Sequence, residues 1–182
     1  MLVPLVSGTP RPPPTRICVC SDDATASALR REFAAAGWAT CEVDPFPPAS
    51  ADRSLLCVTI IDSTSGFVPV VELLLRNVSV VATVDDPSIG ADLFDQCRRI
   101  ATAEWFDRDR RPIADRLGDD QLALLLGIRE GHDVAQAARR CHLSPRTAAR
   151  RLTDARRVLG ARSTAEAVSL VGHRIDELRG AG

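Results

Sequence analysis

Every one of the 23 basic residues in this chain is arginine; lysine is absent. Whatever site the fold builds must therefore do without a compact ammonium group, and a guanidinium, a planar fork of donors, does not replace one. Metal ligation has little to read either. The six cysteines (Cys18, Cys20, Cys41, Cys57, Cys97 and Cys141) show no CxxC pair and no Cys/His ligand spacing. Most sit in apolar runs, where a free thiol behaves as a small hydrophobe. No apolar run approaches the ~18 residues of a membrane span, so no membrane partner is expected. The opening MLVPLVSGTPRPPPT lacks a basic stretch and is broken by Pro4, so it does not read as a signal peptide. With Pro10 and Pro12 to Pro14 it reads as a disordered or polyproline tail over residues 1–15. A cytoplasmic protein with reduced thiols is expected. No Ser/His/Asp or Cys/His arrangement is visible. The three histidines, His132, His142 and His173, lie in or beside C-terminal helical segments. Neither an enzyme nor a cofactor is expected.

What is present is asymmetric charge. The net charge of −1 conceals an acidic front and a basic rear. Residues 1–106 carry 8 Arg against 13 acids, and residues 107–162 carry 13 Arg against 8 acids. Within 139–162 there are 8 Arg and the single acid Asp154. This fits two domains, the second facing a polyanion.

From Arg16 onward, apolar runs alternate with helical patterns. RICVCS reads as a strand, and residues 24–36 as a helix with Ala28, Leu29 and Phe33 on one stripe and Gly37 as its stop. A short strand follows at 40–43, then a loop with Pro45, Pro47 and Pro48. LLCVTIID at 55–62 is a nearly continuous apolar run, the mark of a parallel strand buried on both faces. A helix at 69–76, a strand at 78–84, a helix at 88–100 and a weak strand at 104–106 complete the unit. This order predicts a doubly wound parallel α/β sheet over residues 16–107, with function at the carboxyl ends of its strands.

Asp22 and Asp23 follow the first strand, and Asp62 closes the third. In this the segment resembles the receiver domain of two-component response regulators. The resemblance implies Mg²⁺ on the acidic pair and a phosphoryl group accepted by Asp62, because Mg²⁺ prefers hard oxygen ligands and screens the incoming phosphate. The family also uses a hydroxyl after the fourth strand and a lysine after the fifth. By spacing, Ala82 stands at the hydroxyl position, Thr83 falls one residue late on the opposite face, and Arg108 stands near the lysine position. The family's fifth helix is missing too. One flank of the sheet would be bare unless the linker at 108–116, the other domain or a partner covers it. A degenerate receiver is expected: truncated, working without phosphorylation, and holding Mg²⁺ at Asp22 and Asp23 only if the site is competent. The alternative is a conventional response regulator phosphorylated on Asp62.

Residues 117–179 read as four short helices. Asp119 or Asp120 caps the first, 121–129, whose apolar positions are Leu122, Leu125 and Leu126. Gly131 stops it, and Asp133 caps the second, 134–141. After His142 and Leu143, Ser144 caps a long basic helix at 146–159, with Pro145 leading it in and Gly160 ending it. Ser163 with Glu166 forms a capping box for the last helix, whose stripe of Ala167, Val171, Ile175 and Leu178 continues to the end. On the basic helix, Ala148, Leu152, Ala155 and Leu159 form the core side. At 100° per residue, Arg146, Arg150, Thr153 and Arg157 lie opposite, with Arg151, Asp154 and Arg156 on the flanks.

LGDDQLALLLGIREGHDVAQAARRCHLSPRTAARRLTDARRVLGARSTAEAV resembles the LuxR/NarL-type helix-turn-helix without a gap. Leu117, Leu125, Glu130–Gly131, Ala138, Leu143, Ser144, Thr147, Leu159–Gly160, Glu166–Ala167 and Val168 stand at family positions. Asp120–Gln121 replaces Arg-Glu, which predicts a lost ion pair; Ala148 replaces Val, Arg151 replaces His, and Val158 replaces Lys. The resemblance implies a transcriptional regulator of double-stranded DNA, with Ser144, Arg146, Thr147, Ala149, Arg150, Arg151, Thr153 and Arg157 at the DNA. It also implies a homodimer paired through the last helix, the alternative being that this helix packs within its own domain, with RNA polymerase or another regulator as further partners. The basic helix is similar as well to the promoter-reading helix-turn-helix of sigma factors. A protein-interaction module is the third reading.

Overall fold

The structure is a computed structural model, and it describes residues 15–42, 55–107 and 110–179. The expected Pro-rich tail before Thr15, the loop prolines after the second strand and Arg108 lie outside the described residues.

Five strands form one sheet: β1 (Arg16–Cys20), β2 (Ala39–Glu42), β3 (Leu55–Ile60), β4 (Ser79–Thr83) and β5 (Thr102–Phe106). Every pairing is parallel. The order is β2-β3-β4-β1-β5, not the 2-1-3-4-5 of flavodoxin-like sheets. Burial accounts for the arrangement. β4 is buried at all five residues and β1 at four, so these two most apolar strands take the middle, where both faces are covered. β5 alternates exposed and buried residues and sits at an edge. Asp62 lies outside β3, which ends at Ile60.

Helices cover both faces, the doubly wound plan expected from the alternation. α1 (Asp23–Ala35) lies on one face with Cys18, Cys20, Leu56 and Val81. α2 (Phe67–Leu75), entered through a 3₁₀ turn at Thr64–Gly66, and α3 (Pro87–Cys97) lie on the other, over Ile17, Val19, Cys57, Val80 and Ala82. α3 approaches β5 closely at Gly90: a β-carbon there would stand 2.4 Å from the Trp105 ring. Any larger residue would push helix and strand apart.

The rest of the chain is helical: α4 (Ile113–Arg116), α5 (Asp119–Arg129), α6 (Val134–Arg140), α7 (Pro145–Leu159) and α8 (Thr164–Arg179). The expected linker is thus partly a helical turn. Ala114 is fully buried, its N–H donates to Glu32 Oε1 at 3.0 Å, and its carbonyl accepts from Arg31 at 2.7 Å.

The bare flank is covered by the chain's own last helix. One continuous apolar cluster runs from Cys18 and Phe33 through Ala114 and Leu125 to Val171, Ile175 and Leu178. Polar contacts close the seam. Trp38 Nε1 donates to the Leu178 carbonyl at 3.2 Å. Arg179 donates to the Ala36 and Ala35 carbonyls at 3.1 and 3.2 Å, satisfying acceptors that the end of α1 leaves orphaned. Arg31 pairs with Asp119 at the start of α5. The stripe of Ala167, Val171, Ile175 and Leu178, expected to join two subunits, is instead at most 2% exposed inside a single chain. Burying that stripe against α5, α7 and α1 removes apolar area from water with no second copy needed.

Candidate nucleic-acid interface

α7 is positioned by its two ends. Ser144 has extended backbone and its Oγ accepts from the Thr147 N–H at 3.1 Å, with Pro145 supplying a preset φ in the first turn. Gly160 closes the helix at φ +69°, a left-handed conformation that glycine adopts without strain. Four residues, Cys141–Ser144, join α6 to α7, and His142 takes φ +55° to make that turn. Asp133 caps α6 through the Gln136 N–H at 2.7 Å, and the Gln136 amide oxygen accepts the Asp133 N–H at 3.0 Å, a complete capping box. Two expected caps differ. Gly118, not Asp119 or Asp120, precedes α5, its N–H donating to Gln121 Oε1 at 2.8 Å. At α8, Ser163 accepts from the Glu166 N–H, but the Glu166 carboxylate reaches the Arg162 N–H.

The helix is amphipathic as expected. Ala148, Leu152 and Ala155 are buried, with Leu159 half-buried beside them. Ser144, Arg146, Ala149, Arg150, Thr153 and Arg157 are exposed, and Thr147 is half-buried against Ser144. Thr153 donates its hydroxyl hydrogen to the Ala149 carbonyl at 3.0 Å. Among the described residues neither Arg146 nor Arg150 is engaged in an ion pair, whereas Arg157 is paired with Asp154. Arg151 is half-buried and lies 3.6 Å from Asp120 on α5. Asp120, at one of the departures from the family pattern, thus has an arginine beside it, and the contact draws Arg151 off the outer face. Arg156 is held inward too, donating to the Arg162 carbonyl at 3.0 Å.

The positive surface extends beyond α7. His132, Gln136, Arg139 and Arg140 line a hollow of about 280 Å³ on α6. Arg139 and Arg140 are exposed, and Arg140 stands 4.0 Å from Glu130. These residues were not singled out as contacts in the sequence, although the Arg-Arg step just before the turn was legible there.

The strand-end acids do not gather. β4 lies between β1 and β3, which puts the ends carrying Asp22–Asp23 and Asp62 two strand spacings apart, about 10 Å. Asp22 caps α1, accepting the Thr25 N–H at 2.7 Å and its hydroxyl at 3.1 Å. That backbone hydrogen bond holds its carboxyl below the ordinary value. Asp23 and Asp62 are exposed, and Asp62 accepts from Ser63 at 3.0 Å. Asp85 and Asp86 end β4 beside β1, but Asp86 is likewise a cap, for α3. Among the described residues no three His, Cys, Asp or Glu side chains come together as a metal site. The arrangement does not fit a receiver-type Mg²⁺ site. Ala82 faces α2 and α3, and Thr83 lies on the α1 face, 3.7 Å from the Cys20 sulfur.

No family model matches the chain, and no curated protein does. Among solved structures, the chain is similar to the RcsB response regulator of Salmonella typhimurium, described for its conformational dynamism in DNA interaction. The identity is 9%, the match covers 87% of this chain and 99% of that one, and the TM-score is 0.29. A likeness at that level says nothing of what this chain does.

Proposed function

We propose that this chain is a sequence-specific DNA-binding transcriptional regulator whose α6–turn–α7 segment is a helix-turn-helix, with α7 as the reading helix. One observation carries this: α7 presents Arg146, Ala149, Arg150 and Thr153 on its outer face, and among the described residues neither arginine is spent on an acid. A guanidinium free of a partner can take a guanine edge with two hydrogen bonds, while Ser144, Thr147 and Arg157 reach phosphates. The small Ala149 lets the helix approach the bases closely. The hollow formed by His132, Arg139 and Arg140 adds phosphate contacts from α6.

The α/β part regulates without phosphoryl transfer on this reading, which is supported by the separation of Asp62 from Asp22 and Asp23 and by the use of Asp22 as a cap. DNA is bound by a homodimer with one half-site per copy. The pairing surface is not the inner stripe of α8, which is occupied.

Selection of bound fragments from random duplexes tests the proposal. A recovered motif should bind roughly 5- to 150-fold less tightly to Arg150→Ala, about 1–3 kcal/mol, with little change on unrelated duplex. Equal loss on every sequence would reduce Arg150 to a phosphate contact. Failure to enrich any motif would remove sequence-specific binding altogether.

A further inference from the structure

We propose that Cys41 and Cys57 form a reversible thiol–disulfide site at the free β2 edge of the sheet, oxidised by a disulfide of the glutathione class. The two residues are direct register partners in the parallel β2–β3 pair. Their sulfurs are 2.8 Å apart, closer than unbonded sulfurs ordinarily stand. Neighbouring strands bring α-carbons to about 4.8 Å, within the 4.4–6.8 Å that a disulfide spans. No other two cysteines among the described residues are in sulfur contact, although all six are free thiols. Cys18, Cys20 and Cys97 are each enclosed in the core.

Exposure orders the chemistry. Cys41 is half-buried on the edge strand and meets the oxidant first, while Cys57 is fully buried behind it. Burial, and the hydrogen bond and charge of Cys41, hold the Cys57 thiol above its ordinary value, so Cys57 resolves rather than initiates. The Cys41 thiolate attacks one sulfur of glutathione disulfide and expels one glutathione thiolate. The Cys57 thiolate then attacks the Cys41 sulfur of that mixed disulfide and expels the second. Two protein thiols are oxidised and one small disulfide is reduced to two thiols, the protons given up by Cys41 and Cys57 ending on the two expelled glutathione thiolates. The product staples the edge strand to its neighbour across the 16-residue interval between them.

The full chain, incubated with glutathione disulfide, should become two hydrogens lighter. Trypsin cleaves after Arg53, between the two cysteines, so the fragments 32–53 and 54–76 should be recovered joined and should separate on reduction. Cys41→Ser and Cys57→Ala should each abolish the joined product, and Cys141→Ser should retain it; circular dichroism checks that each variant is folded. Cys41→Ser lies at the edge and keeps the test informative if Cys57→Ala does not fold. An unchanged mass, a cross-link between other cysteines, or a mixed disulfide that stays on Cys41 would each overturn the proposal.

Discussion

Arg174 on α8 donates from Nε to Glu32 Oε2 on α1 at 2.9 Å, across 142 residues of chain. The same guanidinium lies 3.2 Å from Glu104 on β5, which also receives Arg16 at 3.0 Å. Glu32 is 1% exposed. Burial opposes the charge on Arg174, but Glu32 and Glu104 outweigh it and hold the guanidinium above its ordinary value. Phe106 stacks beneath it, the ring centre 5.8 Å from the guanidinium carbon. Strand, first helix and last helix are thus tied at one buried charged cluster, and the two halves of the chain share a core there.

Removing Arg174 leaves Glu32 buried without a cation, although Glu104 keeps Arg16 and Arg110. Arg174→Ala should therefore lose about 3–5 kcal/mol of unfolding free energy. Arg16→Ala should lose less, because Glu104 keeps Arg174 and also Arg110, 3.4 Å away. Urea denaturation of the two variants decides it. An equal loss in both would mean that the cluster works through packing alone.

Strands and helices were legible from periodicity, because burial on one or both faces imprints itself on residues two or four apart. Leu55–Ile60 and Ser79–Thr83 fall where their apolar runs place them. Strand order was not legible, since a run buried on both faces names no neighbour. The receiver resemblance set Asp62 beside Asp22, and β4 came between them. The α8 stripe was legible as a stripe, but its partner was not. Nothing local in Val171 or Ile175 distinguishes the helices of its own chain from a second copy. On α7, spacing identified the outer face, yet Arg151 and Arg157 meet acids that only the folded geometry and the i,i+3 pairing bring close.

Asp22 gives a pH test of the cap. Its folded value lies below the ordinary 3.8, so the stabilisation is fully present above that value and is lost as pH falls through the folded value. Asp22→Ala should cost about 1 kcal/mol at neutral pH. The gap between variant and parent should shrink as pH falls through that folded value, where the parent carboxyl is protonated as well. A gap that persists undiminished in acid would assign the effect to something other than the charged cap.

Asp62 offers the cleanest separation of the two regulatory readings. It is exposed and two strand spacings from Asp22 and Asp23, and among the described residues no cluster of metal ligands gathers around it. Incubation with acetyl phosphate and Mg²⁺ should add no phosphoryl mass to the chain. Asp62→Ala should bind its selected DNA as the parent does. A phosphoryl adduct that disappears in Asp62→Ala and tightens DNA binding would restore the conventional mechanism.

Asp154 is the single acid among the eight arginines of residues 139–162, and it occupies Arg157. The pair is largely exposed, so it contributes little to stability, and its effect lies in the field that DNA meets. Asp154→Ala should leave the unfolding midpoint nearly unchanged. It frees one cation for phosphate, so affinity should rise on matched and unmatched duplexes alike, and the slope of log affinity against log salt should steepen by about 1. Arg157→Ala should do the reverse by a smaller amount, because its charge is already half-neutralised. If Asp154→Ala instead improved only the matched site, Arg157 would be reading a base, and the outer face of α7 would extend one turn further along the groove than Arg146, Arg150 and Thr153 alone define.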